Sequence, residues 1–266
     1  MEASIRAVTP PIGPLRVIIT GASSGLGAAL ARHYAAGGAT LGLITRRRHE
    51  LERLVAGFPG KTALYRADVR DTAALDAAGQ DFIGRFGPPD IVIANAGISI
   101  GTLTQHAADR EVFAAVMDIN VDGAVNTFHP FLDAMLARGS GKLVGIASVA
   151  GFRGLPGAGA YSASKAALIA YLESLRVELR PRGLEVITVC PGYVATPMTE
   201  ANPYPMPFLL EADEAARRIA RVIGRGESFA VVPWQMALAG KVLRWLPNWL
   251  YDRAFARAPR KPRRSE

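Results

Sequence analysis

The stretch Thr20-Gly21-Ala22-Ser23-Ser24-Gly25-Leu26-Gly27 decides how this chain folds. It follows an apolar run, Arg16–Thr20, and leads into a helical pattern over Gly25–Ala36. Glycine allows the backbone to turn tightly and leaves no side chain between backbone and ligand. The helix that follows points its first N–H groups at the loop, which favours a pyrophosphate there. The spacing Gly-x3-Gly-x-Gly is weak evidence alone, because glycine-rich turns join many strands to helices.

Short apolar runs alternate with helical patterns along the rest of the chain. Near-continuous apolar runs are typical of parallel strands buried on both faces. The pattern predicts an α/β fold, a Rossmann-like doubly wound parallel sheet of seven strands flanked by helices in a single domain. The predicted strands are Arg16–Thr20, Thr40–Thr45, Thr62–Ala67, Asp90–Ala94, Lys142–Ser148, Leu184–Cys190 and Phe229–Val232. The predicted helices lie near Gly25–Ala36, Arg48–Ala56, Asp71–Phe86, Arg110–Leu136, Tyr161–Arg180 and Ala212–Gly224.

The 266 residues are predicted to divide into three parts. They are an N-terminal extension (1–15), a dinucleotide-binding and catalytic domain (16–232), and an amphipathic, basic C-terminal extension (233–266). The net charge is +8, and residues 253–266 hold six basic residues against one acid. We expect this tail to be solvated and partly disordered, with attraction to nucleic acid or an anionic membrane as alternatives. One cysteine excludes an internal disulfide, and no signal peptide or spanning segment is recognised, which predicts a cytoplasmic protein.

Tyr161 and Lys165 lie four residues apart, so that a helix would place them on one face. A phenol titrates near pH 10, too high for proton exchange at neutral pH. A nearby ammonium, and the charge of a bound nicotinamide, would lower the phenol pKa. Tyr161 could then give a proton to a carbonyl oxygen, or take one from an alcohol, as a hydride moves. By itself, a Tyr/Lys pair at this spacing is common by chance.

The order and spacing of several further motifs resemble those of the classical short-chain dehydrogenase/reductase family. The resemblance covers Val17 to Gly226, with one small departure at Ala94, where the family often has Asn. The motifs that carry it are Gly21–Gly27, Asn95-Ala96-Gly97, Asn120, Ser148, Tyr161, Lys165 and Pro191-Gly192.

The resemblance implies a role for each matching residue. Ser148 would bind the substrate oxygen and Tyr161 would be the general acid/base. Lys165 would also hold the nicotinamide ribose, and Asn120 would support a water in a proton relay behind Lys165. The full set of residues implied to bind the cofactor is Gly21, Ser23, Ser24, Gly25, Leu26, Gly27, Arg46, Arg47, Asp68, Val69, Asn95, Ala96, Gly97, Tyr161, Lys165, Pro191, Gly192, Val194 and Thr196.

The end of the second predicted strand indicates NADP(H) rather than NAD(H). Enzymes that prefer NAD usually place an acid there to bind the ribose 2′-hydroxyl. Here the sequence continues as Arg46-Arg47-Arg48, without an acid. Arginine suits a 2′-phosphate because it is always charged and donates in a fork. Arg46 is the first candidate and Arg47 the second; alternatively, these arginines only begin and solubilise the next helix.

The four histidines are scattered without metal-ligand spacing, so no metal site is predicted. Residues 193–211 are apolar and contain methionines, which predicts a lid over a hydrophobic carbonyl or alcohol substrate. The helix after Tyr161 is apolar on more than one face, which favours a homodimer or homotetramer. The segment Trp234 to Phe255 mixes tryptophans with basic residues. It suits a peripheral membrane contact, an oligomer contact or a flap over the substrate pocket.

Four functions therefore remain open. The leading one is an NADP(H)-dependent carbonyl reductase or alcohol dehydrogenase. The second is a 3-oxoacyl-thioester reductase of lipid synthesis, which would need a basic docking patch near the pocket mouth. The third is a nucleotide-sensing or membrane-associated scaffold, which a complete Asn-Ser-Tyr-Lys set disfavours. Nucleic-acid binding through the tail is disfavoured because the basic residues match no reading motif.

Overall fold

Seven parallel strands form the central sheet of the structure, a computed structural model that describes residues 13–200 and 202–263. Two further strands, β7 and β8, pair with each other outside that sheet. The strand bounds are β1 Arg16–Thr20, β2 Thr40–Thr45, β3 Thr62–Arg66, β4 Ile91–Ala94, β5 Gly141–Ile146, β6 Leu184–Pro191, β7 Val194–Ala195, β8 Leu210–Glu211 and β9 Phe229–Val232. The order across the large sheet is β3-β2-β1-β4-β5-β6-β9. The predicted doubly wound fold is thereby confirmed, with strand ends that differ by one or two residues.

Helices cover both faces of this sheet. Among the described residues, no helix combines the length and apolarity needed to cross a bilayer. Residues 1–12 of the expected N-terminal extension lie outside the described part of the chain. The helix bounds are α1 Gly25–Ala36, α2 Arg48–Val55, α3 Thr72–Phe86, α4 Asp109–Met117, α5 Gly123–Arg138, α6 Gly159–Leu179, α7 Pro197–Glu200, α8 Ala212–Arg225, α9 Gln235–Trp245 and α10 Asn248–Phe255.

The single helix expected over Arg110–Leu136 is wrong in one respect. It is interrupted by a turn of π-helix, Asp118–Asp122, between α4 and α5. Such a turn holds one more residue than an α-turn and is frequent at functional sites. Here it contains Asn120, which is 1% exposed and directed inward. Apolar periodicity does not reveal this turn, because Ile119 and Val121 continue the helical pattern.

The order of strands reverses between β1 and β4. The chain winds outward from β1 through β2 and β3, then returns to β4 on the other side of β1. The loops after β1 and β4 therefore diverge and leave a crevice at the carboxyl ends of the strands. Two apolar layers, one on each face of the sheet, hold the strands in place: Ile19 and Leu30 belong to one, Phe82 and Phe131 to the other.

An ion cluster closes the opposite end of the sheet. The Asp90 carboxylate accepts hydrogen bonds from the Arg16 backbone N–H at 2.8 Å and from Arg16 Nη2 at 2.9 Å. It also accepts one from Arg138 Nη1 at 2.9 Å. These three largely buried side chains link the start of β1, the start of β4 and the end of α5.

We predict that Asp90→Ala lowers the free energy of unfolding by about 2 kcal/mol, because it leaves two partly buried guanidinium groups without their shared acceptor. The midpoint of urea denaturation measures the change. Glu52→Ala is the matched control, since it breaks an exposed pair with Arg48 and should cost less than about 0.5 kcal/mol. Equal denaturation midpoints for the two variants would show that the Asp90 cluster does not stabilise the fold more than an exposed ion pair does.

Candidate active site

One cavity of about 410 Å³ lies at the carboxyl ends of β1, β4, β5 and β6. Every residue predicted to bind the cofactor lines it, and so do Ser148, Tyr161 and Lys165. Asn120 does not line the cavity and lies behind it. Pro197, Met198 and Thr199 of the predicted lid also line the cavity. The sequence analysis did not anticipate the remaining lining residues, which are Ile44, Thr45, Ala67, Ile98, Ile119, Ile146 and Ala147.

The glycine loop rests directly on the end of β4. Gly21 has a φ of +67°, and a Cβ added there would lie 2.8 Å from the Ala96 Cα. A Cβ on Gly27 would collide with the Gly21 carbonyl and with the Asn95 amide. Asn95 stabilises the contact, since its Nδ2 donates to the backbone carbonyl of Thr20 at 3.0 Å. This cradle leaves room for an elongated, charged ligand such as a dinucleotide at the N-terminus of α1, so the residues present fit that group.

Tyr161 and Lys165 sit in the first turns of α6 and face the cavity together, as the spacing predicted. Lys165 is 4% exposed, and its Nζ donates to the Ile146 carbonyl at 2.8 Å. The same Nζ lies 5.7 Å from the centre of the Tyr161 ring. The backbone carbonyl at the end of β5 therefore fixes where the ammonium is held.

The electrostatics of this pair differ from the expectation. Burial raises the pKa of Tyr161, although its contact with Ser148 acts in the opposite direction. Burial also lowers the pKa of Lys165 to about 8. In the protein by itself, desolvation thus outweighs the expected lowering of the phenol pKa by the ammonium. At neutral pH, Tyr161 is protonated and Lys165 is largely charged.

Ser148 and Asn120 are held by backbone groups. Ser148 follows β5, and its Oγ accepts from the Ala150 N–H at 3.1 Å. The Asn120 side chain accepts from the Ile98 N–H at 2.8 Å and donates to the Ile98 carbonyl at 2.9 Å. Its Nδ2 also donates to Ser164 Oγ at 3.0 Å. Asn120 thereby connects the loop after β4 to α6, next to Lys165.

The arginines after β2 lie at the cavity edge with different partners. Arg47, the second candidate, donates from Nη2 to Ser24 Oγ at 2.7 Å and to Ser23 Oγ at 3.1 Å. Arg46, the first candidate, is 3.6 Å from the Asp68 carboxylate.

Asp68 has a second arginine partner that sequence reasoning missed. Hydrogen bonds from Arg70 lower the pKa of Asp68 to about 2, and Arg46 adds to the effect. The only signal for Arg70 was its position two residues after Asp68, just beyond a predicted strand. The serines of the glycine loop, three arginines and one carboxylate therefore meet at one end of the cavity.

The predicted lid, 193–211, is anchored at both ends. The Leu210 N–H donates to the Tyr193 carbonyl at 3.0 Å, and β7 pairs with β8. Between them, α7 carries Met198, which lines the cavity. Phe208 and Leu209 are exposed apolar residues of the same segment.

The C-terminal extension is a folded part of the structure as far as Arg263. Helix α9 begins directly beside the cavity, where a Cβ on Gly192 would come within 2.7 Å of the Met236 Cγ. Arg153 donates to the Leu243 carbonyl at 2.6 Å, and its guanidinium lies 4.0 Å from the centre of the Tyr251 ring. Tyr251 in turn donates from its hydroxyl to the Gly154 carbonyl at 2.6 Å. These contacts fasten α9 and α10 to the loop between Ser148 and Tyr161.

The expectation of a solvated tail holds only in part for residues 256–263, which we call the C-terminal strap, because most of them are exposed but Lys261 and Arg263 are bound to the protein. The Gly101 N–H donates to the Pro262 carbonyl at 3.0 Å. Lys261 Nζ donates to Ser99 Oγ at 3.0 Å and to the Met198 carbonyl at 3.2 Å. Burial lowers the pKa of Lys261 to about 8. The strap therefore joins the loop after β4 to the lid, at Met198, which lines the cavity.

An ion pair fastens the end of this strap. Arg263 Nε donates to Asp109 Oδ2 at 2.8 Å, and its Nη2 donates to Oδ1 at 3.1 Å. The hydrogen bond from Arg263 lowers the pKa of Asp109, and the Leu103 N–H adds to the effect. Both charged side chains are nearly inaccessible to water, so composition alone misjudged them. Arg264, the last basic residue of the tail, lies outside the described residues.

Metal ligation has no visible basis in the part of the chain that the structure describes. There, no group of three or more His, Cys, Asp or Glu side chains lies close enough to hold an ion. Cys190 is fully buried beside Lys165, and burial raises its thiol pKa to about 12.

Comparison with known proteins agrees with this geometry. A family model described as short chain dehydrogenase matches residues 16–205. An uncharacterized oxidoreductase of Myxococcus xanthus is 40% identical over 250 residues, which are 90% of this chain and 96% of that protein. A short chain dehydrogenase/reductase of Burkholderia phymatum, solved in complex with NAD, has a TM-score of 0.79 at 25% identity and covers 94% of this chain and 97% of its own.

An L-sorbose reductase of Gluconobacter frateurii, solved with NADPH and L-sorbose, has a TM-score of 0.74 at 26% identity. The match covers 83% of this chain and 95% of that one. The chain is thus an oxidoreductase that belongs to the short-chain dehydrogenase/reductase family.

Proposed function

We propose that this protein is an NADP(H)-dependent oxidoreductase that transfers a hydride between nicotinamide and the carbonyl or secondary alcohol carbon of a hydrophobic substrate. The observation that carries the proposal is the meeting of Ser148, Tyr161 and Lys165 with the glycine loop around one cavity. When bound, the nicotinamide supplies or accepts the hydride. The protein itself has to bind the cofactor, orient the substrate oxygen and move one proton.

The cofactor would lie along the cavity from the arginine end to the Tyr161 end. The glycine loop would hold the pyrophosphate at the start of α1. Arg46 and Arg47 would bind the 2′-phosphate, with Ser23 and Ser24 as neighbouring donors. Lys165 would hold the nicotinamide ribose, since its position is fixed by the Ile146 carbonyl. Among solved relatives, one holds NADPH and another NAD, so the arginines are what favour NADP(H) here.

Tyr161 would be the general acid in reduction and the general base in oxidation. Because burial raises its pKa, it is ready to donate a proton to a carbonyl oxygen at neutral pH. Ser148 would hold that oxygen by a hydrogen bond. Asn120 would act as a positioning residue, because it joins the loop after β4 to α6 beside Lys165. Its part in a water-mediated relay stays a prediction.

The substrate would enter between the lid and the strap. Met198 on the lid and Ile98 on the loop after β4 give this side of the cavity an apolar lining. Lys261 bridges the two elements and would close the mouth over a bound substrate. An apolar, adaptable wall of this kind favours a hydrophobic carbonyl compound.

A second candidate, a 3-oxoacyl-thioester reductase, is favoured by one observation. It requires a basic patch near the mouth, and the strap places Arg260 against Gly157 there, with the exposed Arg257 nearby in the chain. A panel of simple ketones and of 3-oxoacyl thioesters, followed by the absorbance of NADPH, distinguishes the two. Turnover confined to the thioesters would replace the leading proposal with this one.

We further expect a cytoplasmic homodimer or homotetramer. Val177 on α6 and Val125 on α5 are exposed apolar residues on helices that cover the same face of the sheet. The predicted second apolar face of α6 is thus smaller than the sequence indicated, since Leu168, Leu172 and Leu175 are buried in the core.

Cofactor preference is the first test of this proposal. NADPH should have the higher kcat/KM, and Arg46→Ala/Arg47→Ala should lower it at least tenfold with little effect on NADH, because a charged contact is worth about 1.5–3 kcal/mol. Arg48→Ala is the matched control, since Arg48 pairs with Glu52 on α2 and does not line the cavity. Equal efficiencies with both cofactors in the unaltered enzyme would refute the NADP(H) assignment.

The second test concerns the proton. Tyr161→Phe should lower kcat by about 100- to 10,000-fold, the usual contribution of a positioned acid. Cofactor affinity, measured by quenching of protein fluorescence, should stay within a few-fold, because only a hydroxyl is removed.

The pH profile gives a further check on Tyr161. Alcohol oxidation needs the phenolate, so its kcat should rise with pH. Carbonyl reduction should decline as the pH passes about 8, where Lys165 loses its charge. Near-normal turnover by Tyr161→Phe would mean that another group transfers the proton. Cofactor binding by the unaltered protein without turnover of any substrate would favour the scaffold instead.

The third test concerns the strap. Arg263→Ala should raise the substrate KM several-fold and leave the NADPH KM unchanged, because the strap contacts the lid and the loop after β4 rather than the arginine end. Arg257→Ala, at an exposed strap position, is the control. A parallel rise in both KM values would indicate general damage to the fold.

A further inference from the structure

All three tryptophans of the chain are exposed, with Trp234 just before α9, Trp245 at its end and Trp249 on α10. Trp245 is 83% exposed, Trp249 69% and Trp234 65%. Leu238 and Val242, between the first two tryptophans in sequence, are 57% and 64% exposed. We call these five residues the aromatic face. A large apolar surface of this kind usually marks a binding site.

The residues of α9 share one side of the helix. Trp234, Leu238, Val242 and Trp245 follow one another at intervals of four, four and three residues, which keeps them within about 80° of each other at 100° per residue. The buried residues Met236 and Gly240 lie on the opposite side. These four residues of the aromatic face therefore form an organised stripe, and Trp249 adds an exposed ring on the next helix, α10.

The stripe does not hold α9 and α10 on the protein. That is done by the other side, where Gly240 packs on Phe152 and Met236 packs on Gly192. In α10 the buried Tyr251 stacks on Phe255 with ring centres 4.4 Å apart, and Trp249 is directed away from them. Since α9 and α10 are attached through their other side, the aromatic face is available to bind a partner outside the chain.

The charges around the stripe identify the partner. Residues 233–263 contain seven basic residues and one acid, Asp252. Lys241 lies along the edge of the stripe, Arg244 lies on the flank between the stripe and the packed side, and both are exposed. Tryptophan prefers the boundary between headgroups and acyl chains, and long basic side chains reach from an apolar surface to anionic headgroups.

We propose that the aromatic face docks this protein on the surface of an anionic membrane. The helices would lie in the interface, with the tryptophans among the upper acyl chains and Lys241 and Arg244 on phosphate or carboxylate headgroups. The geometry does not require a spanning helix, and it is independent of the reaction that the cavity catalyses. The exposed side of α9 and α10 is the side that would meet the lipid, because their other side packs on the protein itself.

The experiment is co-sedimentation of the full-length protein with vesicles of phosphatidylcholine, with and without phosphatidylserine. Binding should require phosphatidylserine and weaken with added salt, since exposed charges are screened over about 10 Å at 0.1 M. Tryptophan emission should shift to shorter wavelength in the bound state, because the chain's tryptophans all lie on the aromatic face. Protein that stays in the supernatant with phosphatidylserine at low salt overturns the proposal.

Two variants locate the contact. Trp245→Ser/Trp249→Ser should lower the vesicle partition coefficient at least tenfold, and Lys241→Glu/Arg244→Glu should remove the dependence on phosphatidylserine. Phe113→Ser is the matched control, an apolar residue that is 44% exposed on α4. All of these sites are at the surface, and urea denaturation shows whether the variants remain folded.

The competing partner is a second copy of this chain. In that case Trp245→Ser/Trp249→Ser would reduce the oligomer size in light scattering, and vesicle binding by the unaltered protein would be absent. Unchanged vesicle binding by the double tryptophan variant would equally overturn the assignment, because the lipid would then be held elsewhere.

Discussion

The close contact between the glycine loop and the end of β4 is the constraint on which the rest of the site depends. Gly21 and Gly27 let two backbone segments approach to a distance that any side chain would prevent. Asn95 then fixes them with hydrogen bonds to the end of β1. The start of α1, the end of β4 and the cavity between them keep one relative position as a result. The loop that continues from β4 also carries Ile98, the partner of Asn120.

Two sets of side-chain contacts continue from this point, one toward β2 and the other toward β5 and α6. Toward β2, Arg47 donates a hydrogen bond to a serine of the glycine loop, and Arg46 pairs with the Asp68 carboxylate. Toward β5 and α6, Asn120 connects the loop after β4 to Ser164, one residue before Lys165. The Lys165 ammonium itself donates to the Ile146 carbonyl, which ties α6 to the end of β5, and burial lowers its pKa. Preorganisation of this kind costs nothing at the moment of reaction.

The sequence was sufficient to predict the strands of the sheet, because apolar runs and the glycine spacing are local patterns that do not depend on distant contacts. It was also sufficient to bring Ser148, Tyr161 and Lys165 together, since each follows a strand or starts a helix at the same edge of the sheet. Sequence analysis did not predict contacts between side chains that are far apart along the chain. The burial of Arg263 depends on Asp109, 154 residues away, and no local pattern indicates that pair. The π-turn at Asn120 was likewise not predicted, because Ile119 and Val121 continue the apolar pattern of a single helix.

The C-terminal strap has a consequence for how the protein is made. The strap follows in sequence every segment that it contacts, so the sheet and the catalytic helix can form before these contacts are made. When Arg263 reaches Asp109, the lid and the loop after β4 are also joined through Lys261. We expect a chain that lacks the strap to keep its sheet and to lose this link between the lid and the loop. The link between the lid and the loop after β4 would thus be one of the last contacts that the folding chain makes.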